Sequence, residues 1–371
     1  MVETKRLGDV ATYINGYAFK PDDWCKEGLP IVRIQDLTGT SYQQNYYKGD
    51  YPAKIEINDG DVLISWSASL GVHIWDRGKA LLNQHIFKVV FDKVEVDKQY
   101  FVYAVQYNLE NMLSKMHGAT MKHIVKKDFD NIEVPFPTLA EQKRVASILT
   151  YAKDAIEDRK QQLTKLDNLV KSRFVEMFGD PVLNPLGWDV KPVIDICDCM
   201  VPGRDKPKSF TGSIPWITID DLVVNSTTYR SKQGLGLTEE EISEVKRKKI
   251  PAGSVVMSCV GNLGICSIAG NEMIINQQLH SFQCNSEIDN VFLMYYLGQR
   301  KDYMEKQASS TTVLYMNKSV CNSIPVMIPD LVLQKQFASF VNQIDKSKVA
   351  IQAALDKTQL LFDSLMQEYF G

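Results

Sequence analysis

The sequence predicts an α+β protein built twice: two similar mixed α/β domains, each followed by a long helix, with the two helices pairing as an antiparallel coiled coil of pseudo-twofold symmetry. Three observations predict it. VPFPTLAEQKRVASIL at Val134–Leu149 returns as VMIPDLVLQKQFASFV at Val326–Val341, an offset of 192 residues. Other segments recur in the same order. LPIVRIQDL (Leu29–Leu37) matches IPWITIDDL (Ile214–Leu222), DGDVLISWSASLG (Asp59–Gly71) matches AGSVVMSCVGNLG (Ala252–Gly264), and LLNQHIF (Leu81–Phe87) matches IINQQLH (Ile274–His280). After each copy of the first motif, apolar residues keep a heptad spacing for about five heptads, which favours a coiled coil over a surface helix. The boundaries implied are a domain at 1–137, a helix at 138–178, a second domain at 179–329 and a second helix at 330–371.

Within each domain, short apolar runs such as Val62–Ile64, Ile86–Phe91 and Val255–Met257 lie between Gly, Asn and Asp turns and read as strands. Helical stretches are expected at Tyr100–Lys115 and Val291–Glu305. Pro137 turns the chain away from helix, and Thr138 with Glu141 has the spacing of a capping box, so the first long helix starts near Leu139. Pro329 and Asp330 repeat the signal, with Leu333 in place of the acid. The seam of the first helix takes Leu149, Ile156, Leu163, Leu166 and Val170. That of the second takes Val341, Ile344, Ile351, Leu355, Phe362 and Leu365, while Arg159 and Lys348 interrupt the stripes and extend outward along their alkyl stems.

At 371 residues, 44% hydrophobic and 23% charged, the chain has ordinary globular composition and exceeds one core. It has no apolar run of membrane-spanning length, and the charges in MVETKRLGDV stand where a signal peptide needs its apolar stretch, so no membrane association and a cytoplasmic location are expected. Seven cysteines, six of them after residue 190, do not form a disulfide framework. The formal net charge of −3 lacks the basic excess of a protein that holds DNA unaided.

Two similar domains carried by two long helices suit the reading of two half-sites. The proline-to-helix boundary VPFPTLAEQKRVASIL, the segment GDVLISWSASLG followed by LLNQHIF, and the two-copy layout resemble the specificity (S) subunit of type I restriction-modification systems. The resemblance implies two target-recognition domains, each reading one half of a split sequence in double-stranded DNA. It also implies spacer helices that fix the gap and dock two methyltransferase (modification) subunits, with restriction subunits joining them. The chain itself would be noncatalytic and bind no cofactor, S-adenosylmethionine, ATP and Mg being used by the assembled complex. Partner subunits would then clamp the phosphate backbone, leaving this chain mainly the base contacts.

Specificity is expected where the halves differ. TSYQQNYYK (Thr40–Lys48) offers Gln43, Gln44, Asn45 and Lys48, and Gln or Asn can pair bidentately with adenine. Its positional relative NSTTYRSKQ (Asn225–Gln233) offers Arg230, Lys232 and Gln233, Arg being suited to guanine. Basic clusters add Lys122, His123, Lys126 and Lys127, with Thr312, Asn317 and Lys318 at the matching place. Arg204 and Lys206 in RDKPK, and KRKK at Lys246–Lys249, belong to the second half alone.

Catalytic motifs are missing. There is no Asp/Asn-Pro-Pro-aromatic loop for amino-methyl transfer, no Gly-rich Lys-Ser/Thr phosphate loop, and GLG at Gly234–Gly236 lacks a preceding strand and third glycine. A nuclease assembled from Asp221 and Glu244-Val245-Lys246 has no first-half equivalent. Cys259, Cys266, His280 and Cys284 align with Trp66, His73, Phe87 and Phe91, so they read as packing positions, not zinc ligands. His85 and His123 read as core or DNA-facing. The competing class is a coiled-coil adaptor that tethers enzymes without reading bases.

Overall fold

The computed structural model describes residues 3–67, 69–115, 125–203, 205–310 and 313–371. The chain divides into two compact units, Met1–Arg159 with Ala354–Gly371, and Lys160–Ala353. The first runs β1 (Thr4–Arg6), α1 (Leu7–Val10), β2 (Thr12–Asn15), β3 (Leu29–Val32), α2 (Ile34–Leu37), β4 (Asn45–Tyr47), β5 (Glu56–Ile57), β6 (Val62–Ser65), β7 (Gly71–Ile74), β8 (Ala80–Leu82), β9 (Ile86–Val90), α3 (Lys98–Lys115), α4 (Lys126–Asp130) and β10 (Glu133–Pro135) into the long helix α5 (Leu139–Phe178). Strands β2-β9-β6-β7 form an antiparallel sheet; β4-β3-β8-β5 form a mixed one in which β3 and β8 are parallel. Strand β1 pairs with β10 beside the helix start.

The second unit repeats this plan. After α5 come β11 (Asp189–Pro192), β12 (Cys197–Met200), β13 (Ile214–Ile217), β14 (Thr227–Thr228), β15 (Gly236–Leu237), α6 (Glu239–Glu244), β16 (Val255–Ser258), β17 (Cys266–Ala269), β18 (Ile274–Ile275), β19 (Leu279–Cys284), α7 (Asn290–Gly298), α8 (Lys301–Gln307), β20 (Ser309–Ser310), β21 (Leu314–Tyr315), α9 (Lys318–Asn322) and β22 (Pro325–Ile328), then α10 (Leu331–Phe370). The sheets are β12-β19-β16-β17-β14 and β15-β13-β18, with β11 on β22.

The continuous apolar runs reflect burial on both faces. In β6, Val62 and Ile64 enter the core beneath α3 while Leu63 enters the core of the mixed sheet. In β16, Val255 and Met257 divide from Val256 in the same way. A strand with two covered faces has no side for polar residues, so the period-2 alternation disappears. The helix over the first sheet is continuous, but its counterpart breaks into α7 and α8 after Gly298. There buried Arg300 lies over the Tyr303 ring (4.8 Å) and donates to the Pro181 carbonyl.

Both long helices begin where the proline signals place them, but not through the reciprocal capping box. The Glu141 amide donates to Thr138 Oγ1 (3.4 Å), whereas the Glu141 carboxylate is held by Arg144 at 2.6 and 2.9 Å. The firmer tie is the glutamine of the repeated Gln-Lys pair. Buried Gln142 accepts from the Asp97 amide (2.9 Å) and donates to the Pro137 carbonyl (2.9 Å). Gln334 does the same with Asp289 and Pro329, at 2.8 Å each.

Each unit holds the first turns of one long helix and the last turns of the other. In the second, Asp167 pairs with Lys348 (2.6 Å), and further along α5 Phe174 and Phe178 meet Phe337, so the segments run antiparallel. In the first, Arg144 stands over the Tyr369 ring. Every seam position is buried or half-buried, Arg159 and Lys348 included, and Lys348 is neutralised by an acid on the facing helix. Near the helix ends the buried stripe leaves the strict heptad. Phe174 and Phe178, and at the equivalent places Met366 and Phe370, are buried in the domain cores, while Arg173 and Tyr369 are half-buried. A straight helix turns every 3.6 residues, so its apolar face drifts from a 3.5-residue repeat. Among the described residues no helix is long and apolar enough to cross a membrane.

Candidate nucleic-acid interface

Each unit suspends a loop from the strand at the centre of its mixed sheet, and each loop is fixed by a buried aspartate. In the first unit the chain leaves β3 through Arg33 and α2. Asp36, 4% exposed, accepts from the Arg33 amide (2.8 Å) and Nε (3.2 Å), and Arg33 Nη2 donates to the Gln43 carbonyl (2.6 Å) and Ser41 Oγ (3.2 Å). The guanidinium thus props the loop from beneath. In the second unit Asp221, also 4% exposed, accepts from the Thr218 amide and hydroxyl (2.8 Å each) through one oxygen. Its other oxygen takes Ser231 Oγ (3.1 Å) and the Lys232 amide (2.7 Å). With both oxygens spent on the backbone and hydroxyls of its own loop, Asp221 is a loop clasp, not a metal-binding acid.

The clasps decide which candidates face solvent. Gln43 is exposed, next to the fully exposed Tyr42. Gln44 is exposed as well, but its amide nitrogen is tied to the Ile31 carbonyl (2.9 Å) and the Asn45 carbonyl (3.2 Å). Asn45 is 5% exposed in β4, opposite Ile31, and is not presented to a base edge; a three-residue strand gave no sequence signal of which side faces in. Lys48 is exposed beside Glu27 (3.7 Å). In the second unit Arg230, Lys232 and Gln233 are exposed, Arg230 and Lys232 lining an open groove of about 640 Å³ with Tyr229 and Thr228. The Lys232 ammonium donates to the Asp220 carbonyl.

The two loops are not the positional relatives that the alignment makes them. Strand β15 pairs with β13 as β4 pairs with β3, Ile214 opposite Leu237 and Leu29 opposite Tyr47. The second connection is therefore longer, and its extra residues include β14, which adds to the other sheet beside β17.

Lys126 and Lys318 occupy the same place, the first residue of the short helices α4 and α9. Lys126 pairs with Asp130 (2.7 Å), Lys127 and Lys318 are exposed, and Asn317 caps α9 by accepting from the Val320 amide (3.0 Å). Lys122, His123, Arg204 and Thr312 lie outside the described residues. The basic clusters of the second half meet: Arg247 Nη2 donates to the Asp205 carbonyl (2.6 Å) and its guanidinium lies over Trp216 (5.2 Å). Arg247 is thereby buried, whereas Lys206, Lys246 and Lys248 are exposed. Lys249 is engaged by Glu239 (2.5 Å) and Glu272 (3.0 Å).

His85 stands at φ 72° with its ring 4.9 Å from that of Trp66. His280 is buried beside Phe282, and burial, reinforced by Lys318 and only partly offset by Asn322, lowers its pKa to about 4. No group of three or more His, Cys, Asp or Glu among the described residues could hold a metal ion.

Two repeated α+β units with matched loop frames and shared long helices define a two-domain recognition scaffold. The family model for the type I restriction modification DNA specificity domain matches residues 1–167 and again 185–359, and the chain belongs to this family. The type I restriction enzyme EcoBI specificity subunit of Escherichia coli is 23% identical over 303 residues, spanning 73% of this chain and 62% of that protein. The MjaVIII specificity subunit of Methanocaldococcus jannaschii is 24% identical over 373 residues, 92% and 86% of the two chains. Among solved structures, the type I restriction-modification S subunit of M. genitalium aligns over 100% of this chain and 96% of its own with a TM-score of 0.60 at 14% identity. A chain from work on complex assembly and conformational transition of the type I R-M system aligns over 99% and 97%, TM-score 0.58, at 16% identity. At such identities the likeness concerns the fold.

Proposed function

We propose that this chain is the noncatalytic DNA-specificity subunit of a type I restriction-modification complex of the cytoplasm. Residues 1–137 and 179–329 act as target-recognition domains, each reading one half of a bipartite site in double-stranded DNA. Helices 138–178 and 330–371 set the spacing and dock two methyltransferase subunits, with restriction subunits joining the assembly. S-adenosylmethionine, ATP and Mg are used by the partners.

One observation carries this reading. Asp36 and Asp221 fix two loops that leave matched strands, and the residues those loops expose differ: Tyr42, Gln43 and Gln44 in one, Tyr229, Arg230, Lys232 and Gln233 in the other. A constant frame with variable tips is what reading two different half-sites requires. The near-neutral chain leaves phosphate neutralisation to its partners.

The test is to co-express the chain with its methyltransferase partner and map methylated bases by single-molecule sequencing. A single bipartite motif is expected, and replacing residues 1–137 by another domain of the family should change one half of it only. Methylation without sequence preference would favour the tethering adaptor.

A further inference from the structure

Six of the seven cysteines lie in the second unit, and the recognition function uses none of them. Two stand face to face. Cys197 on β12 and Cys284 on β19 are directly opposed in an antiparallel pair. The Asn285 amide donates to the Ile196 carbonyl at 3.0 Å, so the adjacent position is a hydrogen-bonded pair. By the alternation of an antiparallel ladder, Cys197 and Cys284 form a non-hydrogen-bonded pair, with Cα atoms about 4.5 Å apart and side chains close. That separation lies within the range of disulfides, about 4.4–6.8 Å. The neighbouring Cys284 thiol and burial raise the pKa of Cys197.

The position is reachable. Strand β12 is the edge of its sheet, and Cys284 is half-buried although Cys197 is buried. Cys199, on the same face two residues along, opposes Phe282. In the first unit, the register of β2 on β9 puts Ala11 and Phe91 in this place, a small–large apolar pair. The fold therefore does not itself require two sulfurs there. Cys259 and Cys321 also touch, but both are buried.

We propose that Cys197 and Cys284 form a thiol–disulfide site that is oxidised by a small disulfide such as glutathione disulfide. Cys284, as its thiolate, attacks one sulfur of the oxidant; that S–S bond breaks and the departing thiolate takes up a proton. Cys197 then loses its proton to solvent and attacks the Cys284 sulfur, forming the protein disulfide and releasing the second small thiol. Two protein thiols are oxidised by two electrons, and one small disulfide is reduced to two thiols. Once Cys284 carries the adduct, burial still keeps the Cys197 thiol protonated above its ordinary range, so closure accelerates as pH rises. The bond would staple an edge strand to its neighbour and close a covalent loop around the residues 223–235 connection.

The test is incubation of the full chain with glutathione disulfide at neutral and alkaline pH, followed by intact mass and non-reducing peptide mapping. The expected product has lost two hydrogens, carries a Cys197–Cys284 peptide, melts at higher temperature, and reverts with a thiol reductant. Cys199→Ser should retain the crosslink; Cys197→Ser should stop at a glutathione adduct on Cys284. Circular dichroism of Cys197→Ser and Cys284→Ser checks that they are folded, and the wild-type mapping does not depend on either. A crosslink mapping to Cys259–Cys321 or to Cys199, a persistent adduct on the wild type, or no reaction even at alkaline pH would overturn the proposal.

Discussion

The Gln334 side-chain oxygen accepts from the Asp289 amide at 2.8 Å, and Asp289 in turn caps α7 through the amides of Val291 and Phe292. One buried amide thus joins the start of a long helix to the start of the helix filling the core. Replacing Gln334 by Leu leaves the Asp289 N–H and the Pro329 carbonyl without partners. A loss of about 1–3 kcal/mol for each buried group left unpaired is expected in urea unfolding. Exposed Lys335→Ala should stay within about 0.5 kcal/mol.

Loop residues should separate into readers and supports. Gln43→Ala is expected to relax one position of the first half-site, and Arg230→Ala one position of the second, each by about 1–3 kcal/mol of discrimination. Asn45→Ala should lower the melting temperature without changing the methylated motif, because Asn45 is buried in β4. Methylome sequencing beside thermal unfolding distinguishes these outcomes.

His280 predicts an acid-sensitive second unit. Its folded pKa lies near 4 against an ordinary 6.5, so between those values the unfolded chain binds a proton that the folded chain does not. Stability from this group is full above about pH 6.5, falls as pH drops toward 4, and is level below that, amounting to about 3 kcal/mol at most. His280→Phe, which installs the ring found at Phe87 in the first unit, should flatten that limb in stability measured from pH 7 to pH 4.

If the helices set the spacing, the length of the unspecified gap should follow them. A heptad added after Asp167 keeps the apolar stripe in phase and lengthens α5 by about 10 Å, or about three base pairs. Because Asp167 faces Lys348, the compensating heptad belongs beside Lys348, after Ser347. The double insertion should lengthen the gap by up to about three base pairs with both half-site sequences kept. An active protein restricted to the original gap would remove the helices from that role.

The repeat and both helix starts were legible because proline geometry and heptad spacing are local signals that survive without tertiary context. Phe174 and Phe178 were not, since a rigid heptad assigns Arg173 and Met177 to the seam and only the domain core shows where the stripe drifts. The burial of Gln142 and Gln334 left no local sign in the sequence, because it follows from amide groups on other elements. At the candidate interface the burial of Asn45 was not legible, because β4 is too short to show which side faces in, and neither was the tie of the exposed Gln44 to the Ile31 carbonyl. The second loop was misaligned because β14 adds residues that the first unit does not have. Asp36 and Asp221 lay within the quoted repeat, and two acids at one offset just after matched apolar strands were the available signal for a shared clasp.

The exchange of helix ends also orders events in time. The core of the first unit contains Met366 and Phe370, more than two hundred residues beyond its last strand at Glu133–Pro135. A nascent chain therefore cannot finish its first unit when that strand leaves the ribosome, and it must keep an apolar trough beside α3 uncovered until the second unit has been synthesised. The second unit takes its share of α5 from residues already made. Limited proteolysis of ribosome-bound chains should find the second unit protected first, and Phe370→Ala should expose the first unit alone.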